Sequence, residues 1–312
     1  MLAILLSIAP IFLLIVLGHG LRRGGIPSVE FWNLNDKLVY WVLFPSLLFY
    51  KTSTIELSGE LVGDYAVVIL GGFGGAVAFA LLSTAVLRLP GPTATSVLQG
   101  AGRHNTFIAL AAAERLYGGD GLAMAALATA LLIPVTNITV VSLMVTMLRG
   151  RAAGGRGLAR AIARDLARNP LLISVLAGVA VNLSEVGRIP VLHDVTAILG
   201  QAALPVVLLC VGANIRVREM TASVGPALLS IVGKMVVFPL VLVGLAMWTG
   251  LSPMAVTVAG LFGAVPTAAS GYTLARAMGG DAPLMATIIT VQTALAFVSL
   301  PLTVWLLGNL LG

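Results

Sequence analysis

The sequence predicts an all-α integral membrane protein with ten transmembrane helices arranged as two inverted five-helix repeats. Three observations carry this reading. Hydrophobic residues make up 59% of the 312 and charged residues only 10%, with a mean hydropathy of +1.05. A water-soluble chain of this length needs far more than 18 basic and 12 acidic side chains to cover its surface, so lipid is its main solvent. Apolar stretches recur at the length that spans a bilayer, and the first half of the chain is echoed in the second at a constant offset.

A helix rising 1.5 Å per residue needs about 20 apolar residues to cross a hydrocarbon core of ~30 Å. By that ruler the segments fall near residues 2–21, 34–50, 61–87, 93–117, 122–148, 170–186, 191–213, 222–249, 252–277 and 282–310. The first has no basic residue before it and outlasts a signal-peptide core, so it reads as a retained helix. The connections then alternate in charge. Arg22 and Arg23 follow segment one, Arg88 follows segment three, six arginines from Arg149 to Arg168 follow segment five, Arg216 and Arg218 follow segment seven, and Arg276 closes segment nine. The intervening connections hold Glu56, Glu60, Asp64, Asp120, Glu185 and Asp194, with only Lys51, Arg115 and Arg188 as cations. Lys and Arg are retained on the cytoplasmic side, so both termini are expected in the periplasm of a multi-pass protein of the cell inner membrane. The net charge of +6 thus reads as topology, and no nucleic-acid partner is expected.

Residues 1–148 form one half and residues 170–312 the other. A shift of 160 positions brings Pro10 onto Pro170, Gly18 onto Gly178, Pro45 onto Pro205 and Gly100 onto Gly260. An odd number of spans per half obliges the second half to insert upside down, which is the plan of many secondary transporters. Between the halves, residues 149–169 carry six arginines against Asp165 alone, an Arg-rich cytoplasmic linker suited also to anionic lipid headgroups.

In that plan the substrate meets corresponding Gly or Pro interruptions near the midplane. Segment four reads Gln99, Gly100, Ala101, Gly102, Arg103, His104, Asn105, Thr106, Phe107, and segment nine reads Gly263, Ala264, Val265, Pro266, Thr267, Ala268, Ala269, Ser270, Gly271, Tyr272. Asn105 and Thr106 suit the cap of a new half-helix, and Pro266 with Thr267 suits the same role in the other half. Two half-helix N-termini facing one cavity present free N–H groups and partial positive charge, a receptor for a carboxylate.

The expected substrate-binding residues are therefore Arg103, His104, Asn105, Thr106, Asn137, Pro266, Thr267 and Ser270. Gln99, Gln292 and Thr293 are expected to line the cavity or coordinate a cation. Arg103 is the most exceptional, because a guanidinium inside an apolar segment costs at least ~2.5 kcal/mol unless paired or hydrated. Two readings of it stand side by side, a substrate contact and an arginine that snorkels or caps helix carbonyls. His104 fits a structural or pore-lining place better than proton carriage. Pro134, Thr136 and Asn137 add polarity to segment five, and Lys234 before Pro239 either pairs with carbonyls or snorkels.

Several classes are disfavoured. Asp36, Asp64, Glu114, Asp165 and Asp281 fall at segment ends or in loops, so a buried titrating acid of the proton-antiporter kind is lacking. There is no Walker loop, no metal-ligand spacing and a single cysteine, Cys210, so no cofactor, metal or disulfide framework is expected. An intramembrane enzyme built on Ser270 and His104 lacks a third orienting group, and the Gly-x-Ser-Gly pattern fails at Ala268, so no enzyme is expected.

At these residues the chain resembles the auxin efflux carrier family, which includes bacterial malate and malonate permeases. The resemblance runs nearly end to end. It rests most on Arg103, Asn105, Thr106 and Phe107 leading to Tyr117 and Gly118, on Pro134 with Asn137, and on Ala264, Val265 and Pro266 followed by Ala275, Gly279 and Asp281. Leu204, Pro205, Leu208 and Gly212, with Pro45 and Leu47, look like that family too. It implies a bile-acid-symporter-like or sodium-proton-antiporter-like arrangement, in which segments one, two, six and seven form a scaffold and discontinuous segments four and nine cross within a transport core. It also implies a carboxylate substrate, with Asn105 and Pro266 matching the family's crossover asparagine and second-half crossover proline. Gly102 and Arg103 stand where many plant members have a proline, and the long plant cytoplasmic domain is absent. A mono- or dicarboxylate such as malate or malonate is accordingly expected ahead of an auxin-like acid. The implied activity is secondary active transport of that organic anion. The alternative is a sodium- or proton-coupled transporter of the same fold for a sterol acid or an inorganic cation. The coupling ion, H+ or Na+, and a homodimeric assembly are left open.

Overall fold

The computed structural model describes residues 1–54, 59–149, 160, 163–164, 167–184, 186–220 and 223–311, and all regular structure among them is helical. Most of the expected Arg-rich linker lies outside the described residues, as do Glu56 and Glu185. In chain order the helices are α1 (Leu2–Arg23), α2 (Val29–Leu38), α3 (Phe44–Thr54), α4 (Gly59–Val86), α5 (Gly91–Gly102), α6 (Thr106–Arg149), α7 (Pro170–Leu183), α8 (Leu192–Ala213), α9 (Val224–Val232), α10 (Phe238–Thr249), α11 (Pro253–Ala264), α12 (Ser270–Met278) and α13 (Ala282–Leu311). Among the described residues six helical stretches are long and apolar enough to cross a membrane, and α7 and α11 are shorter apolar helices. Leu6, Leu13, Trp41, Leu82, Leu240 and Trp248 point outward, as expected where lipid replaces water.

Helix irregularities follow from particular residues. A proline removes one N–H and crowds the carbonyl four residues earlier. Before Pro45 and before Pro239 the chain widens into single π-turns, Val39–Leu43 and Gly233–Val237, which join α2 to α3 and α9 to α10. Within α6, Gly118 takes φ +62°, a left-handed conformation that glycine adopts without a Cβ clash. The chain reverses there. A methyl group on Gly121 would lie 2.5 Å from the Ala113 carbonyl oxygen, whereas a continuous helix would hold the two apart by about 12 Å. Residues 106–117 and 119–149 are thus two limbs.

The helices pack in two groups. α1 lies against α8, and α3 against α7 and α8; α4 packs on α5 and α10, and α11 on α6 and α13. Small residues permit the closest seams. A Cβ on Gly18 would stand 2.0 Å from the Leu209 carbonyl oxygen, and one on Gly212 would stand 1.8 Å from that of Ile15. α1 and α8 therefore meet backbone to backbone.

One expectation is corrected. Asn105 does stand immediately before α6, but the partner half-helix starts at Ser270 with Ala269 as its cap, so Pro266 and Thr267 are not the capping pair. The Pro266 carbonyl and the Thr267 N–H and hydroxyl are all engaged in contacts across the crossing, which delays the new helix by three residues.

Candidate functional site

Main chain builds the site first. α5 stops at Gly102 and α11 at Ala264, and the two breaks touch where the Asn105 N–H donates to the Pro266 carbonyl at 2.7 Å. Asn105 also caps α6: its Oδ1 accepts the Ile108 N–H at 3.2 Å, satisfying a donor that the first turn leaves without a helical partner. The carbonyl ends are closed by side chains. Gly100 lies in the last turn of α5, and its carbonyl accepts from the Thr267 hydroxyl at 2.8 Å and from Gln292 Nε2 at 3.0 Å. Gln292 Oε1 accepts the Thr267 N–H at 2.8 Å, and the Ser299 hydroxyl donates to the Ala264 carbonyl at 2.8 Å.

Beside this crossing lies a cavity of about 370 Å³. The first break lines it with Arg103, His104, Asn105, Thr106 and Phe107, the second with Ala268, Ala269 and Ser270, and the distal limb of α6 with Thr136 and Asn137. Arg103 donates from Nη2 to Asn137 Oδ1 at 3.2 Å, while its Nε is buried without a hydrogen-bond partner. The Thr136 hydroxyl is buried and unpartnered as well. His104 sets its ring edge-on to Phe262 at 5.4 Å, so packing holds it in the wall. The α12 N-terminus has no side-chain cap, and Ala269 and Ser270 present it to the cavity. Both restarted helices therefore direct positive dipole ends at one space, with a guanidinium between them.

Of the eleven residues singled out in the sequence, six line this cavity: Arg103, His104, Asn105, Thr106, Asn137 and Ser270. Pro266, Thr267 and Gln292 lie in the crossing itself, Gln99 is wholly buried, and Thr293 donates its hydroxyl to the Ile289 carbonyl at 2.7 Å. Sequence reasoning missed Asp36, Tyr40, Cys210 and Asn214 on the facing wall. Asp36 accepts from Asn214 Nδ2 at 2.8 Å, and Arg22 Nη1 donates to Asn214 Oδ1 at 3.2 Å, so α1, α2 and the end of α8 are joined through one amide. Asp36 does lie at a segment end, but that end opens on the cavity. The usable signal was spacing, since Asp36, Tyr40, Phe44 and Leu47 recur on one helical face.

A second cavity of about 470 Å³ continues along the same three elements. Tyr40 lines the first cavity and Leu47 the second; Val211 the first and Gly200 the second; Phe107 the first and Ala111 the second. Between them Phe44, fully buried, meets Phe107 edge to face with ring centroids 4.5 Å apart.

A family model described as a membrane transport protein matches residues 3–305. An "uncharacterized transporter" of Methanothermobacter thermautotrophicus is 24% identical over 301 residues, covering 95% of this chain and 96% of its own. A "putative malonate transporter" of Rhizobium meliloti is 28% identical over 286 residues, covering 87% and 86%.

Proposed function

The chain belongs to the membrane transport protein family, that of the auxin efflux carriers, and on that premise we propose that it moves a small carboxylate across the inner membrane by alternating access. Malonate and malate are the leading substrates. In this reading ten spans form two inverted halves, both termini are periplasmic, and α5 to α6 and α11 to α12 are the discontinuous helices four and nine.

The observation that carries the proposal is the cavity where Arg103 and two half-helix N-termini converge, because an anion there meets a guanidinium and two positive dipole ends. The Arg103 guanidinium receives one carboxylate, with Asn137 holding it in place. The 370 and 470 Å³ cavities that flank Phe44 support this reading as its two vestibules. The relative from Rhizobium meliloti, named for malonate, supports the substrate class.

Asp36 adds a carboxylate to the cavity wall, and Asn214 links it to Arg22. With Arg103, Arg22 and two helix N-termini against that acid, the site keeps a net positive potential for an anion.

Proteoliposomes containing the purified protein are expected to take up radiolabelled malonate or malate above protein-free controls, with unlabelled carboxylates competing. Vesicles that accumulate no carboxylate, yet exchange inorganic cations, would sink the proposal.

A further inference from the structure

Unwound carbonyls and half-helix carboxyl ends, where they meet inside a membrane, form a site of negative potential that transporters commonly fill with a coupling cation. Here α5 and α11 bring two such ends together. At roughly −0.5 charge each, they sum to about one negative charge in a region with no water-exposed surface. The Gly100 and Ala264 carbonyls are taken by neutral donors, Gln292 with Thr267 and Ser299. The Phe262 carbonyl, in the last turn of α11, is taken by a lysine.

That donor is Lys234. It is 0% exposed, its Nζ reaches the Phe262 carbonyl oxygen at 2.5 Å and lies 4.9 Å from the centroid of the Phe238 ring. It projects from the π-turn Gly233–Val237, whose first residue packs so tightly that a Cβ on Gly233 would be 2.9 Å from the Cβ of Ala101 in the last turn of α5. Among the described residues no carboxylate is paired with it. A buried ammonium without a counter-ion persists only where the surrounding dipoles stabilise it.

We infer that the Lys234 ammonium is a tethered cation, standing at the negative end of the second broken helix, from a π-turn packed on the end of the first, where a coupling sodium would otherwise bind. Transport is then independent of alkali cations, and shortening this side chain opens a site for one. The inference concerns the energy coupling of the proposed transporter, but its test uses no carboxylate, so it stands or falls apart from the substrate reading.

The experiment is the thermal unfolding midpoint of detergent-purified protein in sodium chloride against choline chloride at equal ionic strength. Wild type and Lys234→Arg are expected to show the same midpoint in both salts. Lys234→Ala and Lys234→Gln are expected to unfold about 5 °C higher in saturating sodium than in choline, as a ligand near 100 times its dissociation constant would give. Recovery of either variant only when sodium is present also supports the inference. A wild-type midpoint that falls on sodium withdrawal overturns it, as do variants that are indifferent to sodium or irrecoverable in both salts.

Discussion

The two interrupted helices occupy matching places and do different work. The first break, Arg103 to Asn105, is three residues of side-chain chemistry, all lining the cavity. The second, Val265 to Ala269, is five residues with no ionisable group; it offers the Pro266 carbonyl and the Thr267 N–H and hydroxyl to the crossing and leaves α12 uncapped beside the cavity. Side-chain chemistry is thus concentrated in the first break, and the bonds that hold the crossing in the second.

The sharpest way to break this division is to disturb the holding half. Gln292→Leu keeps the side-chain bulk but orphans the buried Thr267 N–H, at a cost of about 1–3 kcal/mol, while the Gly100 carbonyl keeps the Thr267 hydroxyl. The unfolding midpoint is expected to drop by roughly 6 °C, at 2–4 °C per kcal/mol. An unchanged midpoint would mean that the second break is not a clamp. At the first break the expected order reverses, with activity falling and stability preserved. Arg103→Ala should lower carboxylate uptake about 100-fold, the loss of one charge-assisted buried hydrogen bond, and Arg103→Lys should restore part of it. Asn105→Ala straddles both roles. Loss of the α6 cap costs ~1 kcal/mol, a midpoint shift of about 3 °C, and uptake should fall about tenfold as the α6 N-terminus tilts from the cavity. Undiminished uptake in that variant would remove Asn105 from the site. Smallest of all, Asp36→Asn removes the acid from the cavity wall and should favour dianions over monoanions by about fivefold in competition assays; no change in that ratio would detach Asp36 from selectivity.

The sequence made the breaks legible because local rules mark them. Gly100 and Gly102 weaken a helix, Asn105 caps one, and Pro266 cannot continue one. Partners far along the chain were beyond such rules. Gln292 reaches back 192 positions to Gly100, and Arg103 reaches forward 34 to Asn137, so only the folded chain says whether each amide clamps or lines. Hydropathy measures depth along one straight helix and places Asp36 at a rim. It is blind to a cavity that descends beside that helix, which is how an end-of-segment acid becomes part of the wall.

The contact of α1 with α8 bears on where motion can occur. Gly18 admits the Leu209 carbonyl and Gly212 admits that of Ile15, so each helix is notched for the other's backbone at about the same height. Two rails keyed in both directions cannot slip: a shift of one residue, about 1.5 Å, would drive a carbonyl into a Cβ of the neighbouring residue. In the proposed transport cycle this pair would act as a single strut. A reciprocating mechanism needs one such part, against which displacement elsewhere becomes directed work.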